Sequence, residues 1–254
     1  MTDRVVLLTG ANNGIGLHMA LSLLDLGWRV AAFDLSGENL EGAREDYPDR
    51  FRFHQCDVTD EAAVVAAVRA IASEWKRIDV LVNNACVAVF GPFETKELKD
   101  TRAEFEVNYF GYVNMLRAVL PYMKAQGGGV IHDVSSTVGI TGFPGIYGYA
   151  STKGAIEALT RTLAIELRRH GVTVNLMHPT ITNTKSAAPL GLPSQAMADP
   201  AVVGKGLARR VGSKKPILTA DVMTGIGVFM ARHFPEGMGR LMAQMSARAQ
   251  QGDA

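Results

Sequence analysis

Short apolar runs alternate along the chain with longer segments whose apolar residues return every three or four positions. The short runs are RVVLLTG (4–10), RVAAFD (29–34), FRFHQCD (51–57), DVLVNNA (79–85), GGVIHDVSS (128–136) and VTVNLMHP (172–179). Their length and nearly unbroken apolar character predict six buried strands. The longer segments predict helices over 14–27, 38–47, 61–76, roughly Thr101 to Ala125, and Tyr147 to His170. Gly27 closes the first, and Thr59 or Asp60 caps the third. Strand–helix alternation of this kind builds βαβ units, so the expected fold is α/β, a doubly wound parallel sheet with helices on both faces.

The alternation runs from residue 4 to 179 without a linker-like shift, so 1–254 reads as a single domain. From 180 to 218 it dissolves into a Pro-, Gly- and Ser-dotted stretch. A loop of that length in a compact domain usually carries function, and this one is expected to border the substrate. LTADVMTGIGVFMARHF (218–234) and GMGRLMAQMSARAQ (237–250) predict two amphipathic helices, a helical C-terminal extension over 219–250. No segment stands out as a seventh strand.

Composition narrows the partners. The chain has 254 residues, 47% of them hydrophobic, enough for a sizeable core. A formal net charge of +1 gives no basic field for nucleic acid. Two cysteines, Cys56 and Cys86, make no disulfide framework and suit a reducing compartment. MTDR runs directly into VVLL with no cleavage pattern, and no apolar stretch reaches the ~18 residues of a membrane span. A cytoplasmic protein is expected. The six histidines show no ligand spacing, and no metal is expected.

TGANNGIG (9–16) joins the first strand to the first helix. Gly10 permits the tight turn, and Gly14 and Gly16 let the backbone approach a pyrophosphate. The helix N-terminus offers free N–H groups and partial positive charge to phosphates. Asp34 ends the second strand, where a carboxylate accepts hydrogen bonds from the adenosine ribose hydroxyls and repels a 2′-phosphate. Its neighbours Phe33, Leu35 and Ser36 are uncharged, and the loop carries Asn13 rather than Arg or Lys. NAD is therefore expected over NADP.

YGYASTK (147–153) places Tyr149 and Lys153 one helical turn apart on one face, separated only by small residues. Alone it also describes an ordinary solvated pair.

In order along residues 4–184, these motifs resemble the short-chain dehydrogenase/reductase family, of Rossmann type. TGANNGIG resembles its cofactor loop, CDV its adenine-contacting segment, NNA (83–85) its NNAG motif, and HPTITNT (178–184) its Pro-Gly-x-x-x-Thr segment. Asn108 in FEVNYFG is similar to the family's helix asparagine, Ser136 lies thirteen residues before Tyr149, and YGYASTK matches Tyr-x-x-x-Lys. The resemblance implies cofactor contacts from Gly10, Asn13, Gly14, Ile15, Gly16, Asp34, Leu35, Asp57, Val58, Asn84, Tyr149, Lys153, Pro179, Ile181 and Thr184. It also implies that Tyr149 is the acid/base. A free phenol titrates near ~10, and the Lys153 ammonium with the oxidised nicotinamide would bring that down. Ser136 would hold the substrate oxygen. Asn108 would anchor a water near Lys153.

Four features depart from the family pattern: Cys86 in place of the glycine of NNAG, Thr180 in place of the glycine after Pro179, Asp133 where asparagine is frequent, and the C-terminal helices. Val87, Val89, Phe90, Val138, Ile140, Phe143 and Ile146, with AAPLGLP (187–193), predict an apolar pocket. The expected reaction is NAD(H)-dependent oxidoreduction of a hydrophobic secondary alcohol or ketone, such as a steroid, terpenoid, aryl or fatty substrate, by a homodimer or homotetramer. Two alternatives are weighed beside it. KGLARRVGSKK (205–215), with five basic residues and no acid, suits a 3-oxoacyl or 3-hydroxyacyl thioester, although a solvated face explains it more simply. A catalytically silent dinucleotide sensor or scaffold would have no need of Asn108, Ser136, Tyr149 and Lys153 together.

Overall fold

The computed structural model describes residues 3–190 and 194–252. Strands β1 (Val5–Thr9), β2 (Arg29–Asp34), β3 (Phe51–Gln55), β4 (Val80–Asn83), β5 (Gly129–Val134) and β6 (Val172–His178) coincide with the six apolar runs. A seventh, β7 (Ile217–Thr219), completes a sheet of order β3-β2-β1-β4-β5-β6-β7, and every pairing is parallel. β7 corrects the sequence reading, which found no candidate there. It has three residues, only Leu218 of which is buried, so neither a run nor an alternation exists to be seen.

The connecting helices are α1 (Gly14–Asp25), α2 (Glu41–Asp46), α3 (Glu61–Trp75), α4 (Leu98–Phe105), α5 (Gly111–Ala125), α6 (Val138–Thr141), α7 (Tyr147–Glu166), α8 (Pro200–Ala208), α9 (Val222–His233) and α10 (Pro235–Gly252). Of the two cap candidates for α3, the Asp60 carboxylate accepts from Ala63 N–H at 3.0 Å. α4 and α5 are joined without a break by one π turn, Glu106–Phe110.

Every residue of β1 is buried, because the sheet is covered on both faces. Val6, Leu8, Val30 and Ala32 pack under α1 and α8 with Met19, Leu23 and Leu207. Val5, Leu7, Ala31 and Leu81 face α3 and α5 with Val64, Val68, Met115 and Val119. The stretch 180–218 is thus not all loop: Val203, Leu207 and Ala208 of α8 are buried, and its N-cap Asp199 accepts from Ala201 N–H at 2.7 Å. Lys205, Arg209, Arg210, Lys214 and Lys215 lie on the exposed side, as a solvated face requires. Strand order reverses between β1 and β4, and a crevice must open beyond their C-terminal ends. Among the described residues no helix is long and apolar enough to cross a membrane.

Candidate active site

That crevice is a cleft of about 530 Å³ lined by Gly10, Asn13, Gly14, Ile15, Gly16, Asp34, Leu35, Asp57, Val58, Asn84 and Thr184 among others. Eleven of the residues expected to contact the cofactor therefore meet in one place. The glycines are required by space as well as by conformation. A Cβ on Gly16 would stand 1.9 Å from Gly10 O, and Gly10 itself has φ +64 with Ala85 Cα 2.8 Å from where its Cβ would be. Asn84 shapes the cradle from below, its amide donating to Thr9 O and Gly10 O at 3.0 Å each. Asp34 is fixed by two N–H groups, Asn12 to Oδ2 and Leu35 to Oδ1, both at 2.8 Å. A backbone cradle that side chains would fill, a helix N-terminus and an immobilised carboxylate at the end of β2 fit a nicotinamide dinucleotide. His18, Lys185 and Ser186 also line the cleft. His18 lies four residues after Gly14 in α1, a spacing legible in the sequence but not used there. Pro179 and Ile181, expected among the cofactor contacts, are not among the lining residues.

Ser136, Tyr149 and Lys153 come together where β5 ends and α7 begins, although none of the three is among the residues lining the cleft. Burial pushes the Tyr149 phenol well above its ordinary value. Cys86 adds to that rise, and a hydrogen bond from Ser136 works against it. Among the protein's own groups burial thus outweighs any lowering, whereas the expected lowering also called on the oxidised nicotinamide. Lys153 bonds other groups: its Nζ, 1% exposed as a residue, donates to Val134 O at 2.7 Å and Tyr112 Oη at 3.2 Å. It stands 5.6 Å from the centre of the Tyr149 ring. Burial lowers the Lys153 ammonium's own pKa, while Cys86 and Asp133 support its charge. Cys86 is exposed, lines the cleft and acts electrostatically on Tyr149, Tyr112 and Lys153, so it marks the junction of cleft and phenol.

The Asn108 side chain bonds protein groups at both its oxygen and its nitrogen. Its Oδ1 accepts from Val87 N–H at 2.8 Å, and its Nδ2 donates to Val87 O at 2.8 Å and Thr152 Oγ1 at 3.1 Å. One turn earlier in the same continuous helix, Glu104 Oε1 accepts from Val89 N–H at 2.8 Å, while Lys96 Nζ donates to Val89 O at 2.9 Å and to Glu104 Oε2. Both N–H and C=O of Val87 and of Val89 are thus held by side chains. Asn108 and Glu104 of this helical stretch, with Lys96 just ahead of it, act towards this segment as a neighbouring strand would. Lys96 and Glu104 are buried together, 1% and 0% exposed in their side chains, beneath Gly148. Ile146, expected in the apolar pocket, is buried in the packing instead. Val87, Val89, Phe90, Val138, Ile140 and Phe143 stay at least partly open. Gly191, Leu192 and Pro193 of the expected pocket lie outside the described residues.

Asp133 is fully buried and has its partners: Asn83 Nδ2 and Thr160 Oγ1 each donate to it at 2.9 Å. Burial still pushes its carboxyl up, to about 6 from 3.8. In the window between those values the unfolded chain releases a proton that the folded chain keeps. Stability therefore falls as pH rises through the window, by about 3 kcal/mol once above it. Asp133→Asn should raise the urea midpoint at about pH 8 and leave it unchanged below about pH 4. An equal effect at both would place the cost elsewhere.

The remaining departures are structural. Thr180 Oγ1 donates to Asp221 Oδ2 at 2.8 Å, and Asp221 is the N-cap of α9, accepting from Thr224 N–H at 2.7 Å. α10 in turn packs on α6, the turn after Ser136, where Gly239 leaves no room for a Cβ against Thr141 O. The outer face of α9 carries Val222, Met223, Ile226 and Phe229, all more than half exposed.

Comparison with known proteins agrees with this geometry. The family described as short chain dehydrogenase matches residues 4–193. The chain is 38% identical over 191 residues to 2-(R)-hydroxypropyl-CoM dehydrogenase of Xanthobacter autotrophicus, covering 72% of this chain and 76% of that protein. Its structure is similar to that of the 3-ketoacyl-(acyl-carrier-protein) reductase from Brucella melitensis complexed with NADH, with a TM-score of 0.77 and 27% identity over 85% of this chain and 96% of that one. It is equally similar to a gluconate 5-dehydrogenase from Burkholderia cenocepacia in complex with NADP and tartrate, with a TM-score of 0.77 and 26% identity over 87% and 94%.

Proposed function

Because the chain belongs to the short-chain dehydrogenase family, we propose that it is an NAD(H)-dependent oxidoreductase of hydrophobic secondary alcohols and ketones. The observation that carries the reading is the meeting of the glycine cradle and the Asp34 carboxylate in one cleft, with Lys153 Nζ 5.6 Å from the centre of the Tyr149 ring. The nicotinamide supplies the hydride chemistry when bound. Gly10, Gly14 and Gly16 receive the pyrophosphate, and Asp34 the ribose hydroxyls. Ser136 holds the substrate oxygen. Tyr149 takes the carbinol proton in oxidation and returns it in reduction. Burial holds the phenol protonated for donation in reduction, whereas oxidation needs the phenolate as base, which the Lys153 ammonium 5.6 Å from the ring centre and the oxidised nicotinamide would together favour. Asn108 acts through Val87 and Thr152 as a positioning residue. The partly open valines and phenylalanines support an apolar substrate. Assembly as a homodimer or homotetramer in the cytoplasm is part of the proposal, and exposed Phe110 and Ile165 on the long helical stretches offer apolar surface for it.

NADH absorbance over a panel of apolar secondary alcohols and ketones, with both cofactors, tests the reading. NAD-linked turnover of several of them is expected, and turnover confined to NADP(H) would reject the cofactor assignment. A second reading, oxidoreduction of 3-oxoacyl thioesters, is supported by the exposed basic residues of 205–215 and by the likeness to the Brucella reductase. Activity on acetoacetyl-CoA that exceeds activity on every simple ketone would favour it.

A further inference from the structure

Asn12 lies within TGANNGIG, where the sequence assigns it no role, yet it is 1% exposed and makes four hydrogen bonds between the glycine cradle and the turn after β2. Its N–H donates to Asp34 Oδ2 at 2.8 Å, and its Nδ2 donates to Ser36 Oγ at 2.8 Å. Its Oδ1 accepts from Asn39 N–H at 2.9 Å, and its carbonyl accepts from Asn39 Nδ2 at 3.0 Å. Two main-chain and two side-chain groups thus stitch residues 34, 36 and 39 to the first βα loop.

The turn from Leu35 to Asn39 follows directly on Asp34, so it borders the place where a ribose beside Asp34 would carry a 2′-phosphate. Gly37 packs within it against Phe53, whose ring lies 2.9 Å from a Cβ built there. An anion arriving at Asp34 needs the carboxylate to swing away or the turn to open. The first is opposed by the N–H groups of Asn12 and Leu35, the second by the Asn12 side chain.

We propose that Asn12 is a positioning residue for cofactor selection. Its side-chain amide closes the 35–39 turn over Asp34 and so enforces rejection of a 2′-phosphate. The inference rests on the NAD reading above and extends it to a residue that need not touch the dinucleotide. Loss of the two side-chain bonds lets the turn open, and NADPH gains relative to NADH.

Fluorescence titration of NADH and NADPH, without turnover, separates the possibilities. Asn12→Ala should narrow the preference for NADH by about tenfold, the effect of two modest hydrogen bonds. Ser36→Ala, which removes one of the two ties from an exposed turn, should narrow it by about threefold, and it decides the matter if Asn12→Ala does not fold. Asp34→Ala should weaken NADH and narrow the preference at least as far as Asn12→Ala. A merely structural Asn12 would weaken both dinucleotides alike and leave the ratio unmoved, which overturns the inference. If instead Asp34→Ala leaves the ratio unmoved, or the unaltered protein prefers NADPH, the NAD reading itself fails.

Discussion

Tyr149→Phe should lower turnover by roughly a hundredfold to ten-thousandfold while NADH binds as before, because general acid–base transfer is worth roughly 10²–10⁴ and no neighbour replaces the phenol. The Ser136 hydroxyl donates to the Tyr149 oxygen and favours the phenolate, and Lys153 is turned towards Val134 O and Tyr112 Oη. Neither reaches the proton that Tyr149 handles. The ring itself contributes packing, which phenylalanine retains, so stability should change little. Dinucleotide affinity, measured by NADH fluorescence, is the control: Tyr149 does not line the cleft. Turnover that survives the change would remove Tyr149 from the chemistry.

The largest stability effect is expected one residue earlier. A Cβ on Gly148 would lie 1.9 Å from Glu104 Oε2 and 2.8 Å from Lys96 Nζ. A terminal oxygen can often swing aside, but this one cannot do so cheaply. Glu104 is fully buried, its other oxygen holds Val89 N–H, and Lys96 has no second carboxylate within reach among its contacts. Gly148→Ala therefore breaks a buried ion pair and should destabilise by roughly 3–5 kcal/mol, read from the denaturant midpoint. Gly42→Ala, in α2 with nothing within 4 Å of the new methyl, is the matched control. It should be neutral or stabilising by up to about 1 kcal/mol. Equal midpoints for the two variants would contradict the packing described.

These two neighbours show how far the sequence reaches. Tyr149, Lys153 and Ser136 were legible because their spacing is local or sits at strand ends. The six strands were legible because burial on both faces leaves unbroken apolar runs such as Val5–Leu8. Gly148 stood in the same motif without its reason, since Glu104 and Lys96 approach it only after α4 has docked on α7. Asn108 was found but its partners were not, because Val87 N–H and C=O carry no signature in a sequence. β7 escaped for want of length. Asn12 escaped because a buried amide bonded to the main chain looks like any loop asparagine. The rise in the Tyr149 pKa depends on how deeply it sits, which spacing does not encode.

The two-rung attachment of Val87 and Val89 divides labour between main chain and side chains. Asn108, Glu104 and Lys96 fix where the backbone runs, so the side chains at 87, 89 and 90 are free to vary without disturbing its path. A scaffold built this way can acquire new substrates through single substitutions, with the reacting hydroxyls left in place.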